Sequence, residues 1–296
     1  YMDGKLVQAL DQVDRGLEID PDNREFLMLK GYILMSRFDR DRELGGLEQA
    51  RDLFRRAAAT GLFASPRREA LLGLGRSLYK LAITHRGWAR RVEARLQEGL
   101  IRLDDRAEAK RRITKRRALA QANLEEAAEI FARLREKNPD DIHATFHLAL
   151  VSIDLGHKDR GAKLLEHYIP IAERRRQSLQ GEELKRTFSQ KERQRKLDQA
   201  RKLREQVVEA RGLLANIAFE REDYERAARE LTALLRLDPN RFNEYFNRGR
   251  CYYRLGLERK ARKDLEIFVG RSTLPQEDPR IRQALAWLSE LQARGE

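Results

Sequence analysis

A single cysteine, Cys251, excludes an internal disulfide framework and a cysteine metal cluster. Proline and glycine are scarce, with 7 and 18 in 296 residues. β-Branched residues are also sparse, and Leu, Ala, Arg and Glu dominate, a composition that favours helix nearly everywhere. No stretch approaches eighteen consecutive apolar residues, which excludes a membrane-crossing helix by the length rule. No secretory pattern opens the chain, and because it begins at Tyr1 the compartment stays open: soluble, and either intracellular or, with a signal upstream, in a bacterial envelope. Glycine-rich phosphate loops, Ser or Cys nucleophile settings and paired acids and bases are all missing, so neither an enzyme nor a cofactor is expected. His143 and His147 do share a helical face with Asp154 near it, which would suit a metal. The segment lacks the glutamate of a zinc-protease helix, however, and His147 lies beside Phe146 and Leu148, so packing is the expected role.

What is present is an apolar fraction of 41%, enough for a real interior, and an excess of positive charge. The net charge is +13, with 47 arginines against 14 lysines. Residues 84–118 hold 12 basic against 5 acidic side chains and residues 173–205 hold 12 against 6, so these two stretches carry the whole excess.

"LEIDPDN" (17–23), "REKNPDD" (135–141) and "LRLDPNR" (235–241) repeat one punctuation: a helix end, Asp or Asn, Pro, then a polar residue opening the next helix. After the third copy, Tyr245, Arg248, Gly249 and Tyr252 precede Ala261, Leu265 and Phe268. This pattern resembles the tetratricopeptide repeat, a 34-residue pair of antiparallel helices in which small residues admit close approach and large ones fill the gaps. Arg248 departs from the usual leucine.

Counting back from each proline gives further units. Residues 208–241 carry Leu214, Ala215, Ala227, Leu231 and Pro239, and 140–172 carry Leu148, Ala149, Gly161 and Leu165. In 67–139, Leu71, Leu74, Gly75 and Leu78 are separated from Ala127, Phe131 and Pro139 by about forty residues more than the unit requires. Residues 24–66 carry Leu27, Gly31, Ala50, Phe54 and Ala57, with a smaller insertion near "SRFDRDRELGG". Residues 1–23, with Ala9, Val13, Gly16 and Pro21, read as the second helix of an incomplete unit or as a cap starting at Met2. Residues 242–275 form the last unit, and 276–296 a capping helix with Ile281, Leu285, Leu288 and Leu291 on one face. The resemblance implies an all-α fold, a right-handed superhelical solenoid of helical hairpins interrupted by two long helical arms.

The first arm, at about 84–118, is expected to lengthen both helices of its unit. Trp88, Val92, Leu96, Leu100 and Leu103 lead outward, an Asp105–Glu108 capping box starts the return, and Ala109, Ile113, Ala120, Leu124 and Ala127 lead back. The second, 173–207, is expected as a helix over 159–178, bent by Pro170 and stopped by Gly181, followed by one helix over 182–219. Because one insertion falls within a unit and the other between units, the arms are expected on opposite edges of the stack.

The resemblance also implies a protein-binding scaffold or adaptor whose first helices line a groove for a partner segment. Asn216 and Asn247 match positions where peptide-binding repeats place asparagines, with Asn243, Arg250 and Arg254 nearby. Arg250 and Arg254 would suit a carboxylate, although Gly212 stands where chaperone-tail-binding repeats have a lysine. The arms offer Arg111, Arg112, Lys115, Arg116 and Arg117, then Arg174, Arg175, Arg176, Arg193, Arg195 and Lys196, to an acidic protein surface. Nucleic acid or an anionic membrane is the alternative partner, disfavoured because no aromatic residue interleaves these charges.

Overall fold

The computed structural model describes residues 2–59, 64–181 and 189–294, and among them there are helices and turns but no strand. The described residues form twelve α-helices in chain order. They are α1 (Met2–Ile19), α2 (Arg24–Asp41), α3 (Leu44–Ala59), α4 (Ala64–Gln97), α5 (Arg106–Lys137) and α6 (Ile142–Asp154), then α7 (Lys158–Ser178), α8 (Gln190–Glu220), α9 (Tyr224–Leu237), α10 (Phe242–Arg254), α11 (Glu258–Arg271) and α12 (Pro279–Ala293). They group into two compact units, residues 1–161 and 162–296.

In the first unit the contacts are set by large rings pressed against glycines. The Phe54 ring on α3 is fully buried and lies against Gly31 on α2 and Gly73 on α4; a Cβ added at Gly31 would sit 2.8 Å from it, and one at Gly73 closer still. Phe131 on α5 meets Gly75 on α4 in the same way, at 2.6 Å, and Phe26 meets Gly16 between α2 and α1. No side chain fits where glycine stands, so helix axes approach closely and the ring fills the seam. Leu27, Ala50, Ala57, Leu78, Leu124 and Ala127 are buried around these contacts.

The second unit uses a gentler version. A Cβ added at Gly249 on α10 would sit 3.1 Å from the Leu265 side chain on α11, and Leu214, Ala215, Ala227, Leu231, Ala261 and Phe268 are buried. Arg248 occupies a position where the repeat normally has leucine, yet it is a satisfied charge. Its Nε and Nη2 donate to the two carboxylate oxygens of Asp264, at 2.6 and 2.8 Å, and its Nη1 to Thr232 Oγ1 at 3.2 Å. The guanidinium also lies between the rings of Tyr245 and Tyr252. Desolvation is the largest single influence and works against its charge, but the Asp264 hydrogen bonds, the Asp264 charge and the neighbouring Tyr252 and Tyr245 together leave the Arg248 pKa raised.

The punctuation prolines fall between helices, Pro21 between α1 and α2, Pro139 between α5 and α6, and Pro239 between α9 and α10. The helix starts behind them are capped differently. Asn23 caps α2 by accepting from Phe26 N, and the buried Asp141 caps α6 by accepting from His143 N and Ala144 N while Arg68 donates to its other oxygen. Arg241 gives α10 no side-chain cap. The turns α6–α7 and α10–α11 share one geometry: Gly156 (φ 89°) and Gly256 (φ 70°) take the left-handed conformation.

Four expectations need correction. Leu100 and Leu103 are 62% and 76% exposed, so the apolar seam of the α4–α5 pair ends at Leu96. Asp105 makes no capping bond, because the 3₁₀ turn Leu103–Asp105 has already curled the chain into α5. The helix expected over 182–219 starts at Gln190, behind a capping box between Ser189 and Glu192; residues 182–188 lie outside the described residues. In α12, Leu285 is 47% exposed and Ala284 takes its place in the interior beside Ile281 and Leu291.

These contacts lead to two stability outcomes. Gly73→Ala should cost about 1–3 kcal/mol by overpacking, and adding Phe54→Leu should return part of that loss, as read by urea denaturation; a neutral Gly73→Ala would remove the ring-on-glycine account. Asp264→Ala should cost roughly 3–5 kcal/mol by stranding the Arg248 charge, whereas Arg248→Leu/Asp264→Leu should be close to wild type. Equal losses in the single and double variants would contradict this.

Candidate protein-binding site

α8 and α10 lie on either side of α9 and present neighbouring faces. Asn216, Phe219 and Glu220 are one turn apart near the end of α8, as are Asn247 and Arg250 on α10. These five side chains, with Ala215 and Leu231, line a cavity of about 320 Å³. The structure therefore gathers three of the five groove residues named from sequence. Asn243 and Arg254 are exposed on α10 and do not line the cavity.

The hydrogen-bonding groups at this cavity are largely uncommitted. Asn216 is exposed with no side-chain hydrogen bond among the described residues, so its amide offers both donor and acceptor. Asn247 Nδ2 donates to Glu244 Oε2 at 2.8 Å, leaving Oδ1 as an acceptor. The Arg250 guanidinium sits 3.8 Å over the Phe219 ring, which covers one face and fixes the plane while the N–H edges remain available. Cys251 is buried directly behind, and burial pushes its thiol up to about 11, which makes it packing rather than a nucleophile.

The basic residues of the α4–α5 pair divide into two groups. Arg112 and Arg116 stack on Trp88, with guanidinium centres 5.5 and 5.3 Å from the ring centroid. Arg116 also donates to His85 Nδ1 at 2.8 Å, which fixes the proton of that buried imidazole on Nε2. Arg117 pairs with Glu93 at 2.6 Å. Arg111 and Lys115 are exposed without an ion pair among the described residues. Trp88 is thus an aromatic partner that the local sequence does not reveal, because it lies on the other helix. In the second stretch Arg174 and Arg175 are exposed, and Arg176 donates to Gln180 Oε1 at 2.9 Å. Arg193 and Arg195 are exposed on the first turns of α8, with Lys196 half-buried.

The histidine face of α6 is a packing surface. His147 stacks on Phe131 with centroids 5.3 Å apart, and Asp154 accepts from Tyr79 Oη at 2.9 Å and Arg86 Nη1 at 3.2 Å. Burial, then the nearby Arg76, His143 and Lys80, lower the His147 pKa to about 3. Unfolded, the imidazole takes up its proton near 6.5; folded, only far below that, so this residue's contribution to stability falls as pH drops below about 6.5. His147→Phe should therefore flatten the acid side of the stability curve, gaining about 2 kcal/mol on wild type between pH 7 and 5. Urea midpoints measured at both pH values check this, and parallel curves for the two proteins would refute it.

Known proteins share features of this helical-hairpin fold. Family models of the tetratricopeptide repeat match residues 116–174 and 214–288. Among solved structures, Acl4, the assembly chaperone of RpL4, is 16% identical and superposes with a TM-score of 0.52 over 90% of this chain and 86% of its own. YrrB, a TPR protein with an unusual peptide-binding site, is 13% identical, with a TM-score of 0.46 over 94% of this chain and all of its own. No curated protein sequence matches the chain. At these identities the likeness to Acl4 is one of fold.

Proposed function

We propose, since this chain is a tetratricopeptide-repeat protein, that it is a non-enzymatic scaffold or adaptor that holds an extended partner segment at the Asn216–Asn247 cavity and meets an acidic surface through its basic helices. Tetratricopeptide repeats generally mediate protein–protein interaction. The observation that carries the reading is the convergence of Asn216, Asn247 and Arg250 on one cavity with unused hydrogen-bonding groups. Asparagine amides pair with a peptide backbone in the way one backbone amide pairs with another, so they hold a segment largely irrespective of its side chains. Arg250, fixed on Phe219, adds preference for a carboxylate.

On the α4–α5 pair, Arg111 and Lys115 supply the uncommitted charge. Both Arg112 and Arg116 engage Trp88, which leaves no open aromatic platform there for stacking bases. That favours an acidic protein surface over single-stranded nucleic acid.

Quantitative pull-downs separate the two surfaces. Asn216→Ala/Asn247→Ala should deplete one set of partners roughly ten-fold, and Arg111→Glu/Lys115→Glu a second set. Unchanged partner sets with both variants would refute the assignment. Filter binding to RNA and duplex DNA at two salt concentrations tests the alternative: micromolar affinity with a steep salt slope, abolished by Arg111→Glu/Lys115→Glu, would replace the acidic-protein reading.

A further inference from the structure

A larger cavity of the second unit lies between α9 and the α10–α11 turn with the first turn of α11, and shares no lining residue with the Asn216–Asn247 cavity. It measures about 530 Å³, within the range of concave binding sites. Ala228, Ala233, Leu255 and the Tyr252 ring form its apolar walls, and Leu257, 40% exposed, extends them at the rim. Arg229, Arg236 and Lys260 also line it. Glu225 lines the cavity too and pairs with Arg229, but Arg236 and Lys260 have no carboxylate partner among the described residues. Lys260 is exposed, and its ammonium lies 5.6 Å from the Tyr252 ring centroid, beside the apolar wall.

We propose that this α9–α11 cleft docks an acidic amphipathic segment of a protein partner, its apolar stripe on the Ala228, Ala233 and Leu255 surface and its carboxylates on Arg236 and Lys260. Charge complementarity selects this occupant. A wholly apolar segment would cover two cations without pairing them, and a nucleic-acid backbone would leave the apolar walls in water.

The register explains why the cleft exists. A hundred positions earlier Ala132, Glu136 and Arg160 stand where Thr232, Arg236 and Lys260 stand here, and they line a smaller cavity of about 420 Å³. In each case a left-handed glycine, Gly156 or Gly256, turns the chain four residues before the cation and brings it against the preceding second helix. The earlier cleft is lined by two cations, Arg135 and Arg160, with Glu136 in place of Arg236, whereas the second-unit cleft sets three cations, Arg229, Arg236 and Lys260, against the one carboxylate of Glu225. The second-unit cleft is therefore the better match for an acidic ligand, and Arg160 is its internal control.

The test is fluorescence anisotropy of the full chain with a labelled synthetic peptide of about four helical turns, glutamate-rich with leucine at three- and four-residue spacing. A scrambled peptide of identical composition and an RNA oligonucleotide of matched charge serve as comparators. The striped peptide should bind most tightly, and Arg236→Glu/Lys260→Glu should weaken it roughly ten-fold or more. Ala233→Trp, which fills the cleft, should weaken it similarly, while Arg160→Glu and Asn216→Ala/Asn247→Ala should leave it unchanged. Equal binding of the scrambled peptide or RNA, or indifference to Arg236→Glu/Lys260→Glu, would overturn the proposal. Loss of binding only in Asn216→Ala/Asn247→Ala would move the peptide to the first-helix cavity, overturning this site and supporting that one.

Discussion

The contact on which the first unit depends is an aromatic ring laid on a glycine. Phe54 touches Gly31 and Gly73 on two different helices, so one side chain fixes the approach of three helices. Neither an Ala–Ala seam nor a Leu–Leu seam gives that geometry: the first leaves a void and the second pushes the axes apart. Once the axes are fixed, the outward positions on each helix are fixed too, which is how helices of little individual stability present surfaces of defined shape. The second unit has Gly249 against Leu265 instead of a ring, and its surroundings are correspondingly aromatic: Trp287 of α12 stacks on Phe246 and Tyr253 of α10.

Charge is handled in two distinct ways in this strongly basic chain. Three arginines that reach toward the interior are matched by carboxylates: Arg248 by Asp264, Arg68 by Asp141, and Arg211 by both Glu173 and Glu230. A buried guanidinium left without a partner would cost several kcal/mol, so these pairs are conditions of folding rather than added strength. Where arginine lies on the lengthened α4–α5 pair, stacking on Trp88 restrains Arg112 and Arg116 without cancelling their charge. The positive field there is thereby partly preorganised.

Local spacing made much of the interior legible. Small and large residues at repeat positions, such as Gly31, Phe54, Gly75 and Phe131, are those that meet, because a hairpin's core is written in three- and four-residue steps. Gly73 was not legible, since its role depends on a ring from the preceding hairpin. Leu100, Leu103 and Leu285 show the reverse error: the spacing is right, but near the end of a helix pair, or on a terminal helix, no opposing element remains to cover them. Ser189 and Glu192 carried a readable signal, the Ser-x-x-Glu of a capping box, which the expectation of one helix over 182–219 passed over. At the cavity, Asn216, Asn247 and Arg250 were readable from repeat position, whereas the Phe219 ring that fixes Arg250 was not, because it belongs to another helix.

The two cavities of the second unit differ in what they can recognise. First helices α8 and α10 carry asparagines, groups that recognise any peptide backbone. Second helices α9 and α11 carry cations around apolar walls, groups that discriminate by side chain. Among the described residues Lys260 and Arg236 are not drawn into helix-surface pairs as Arg229 is with Glu225, and their charge is to that extent available to something that arrives from outside the chain. A repeat unit with a generic first-helix surface and a selective second-helix surface can hold one segment loosely while choosing another, the physical requirement of an adaptor rather than of a single-ligand receptor.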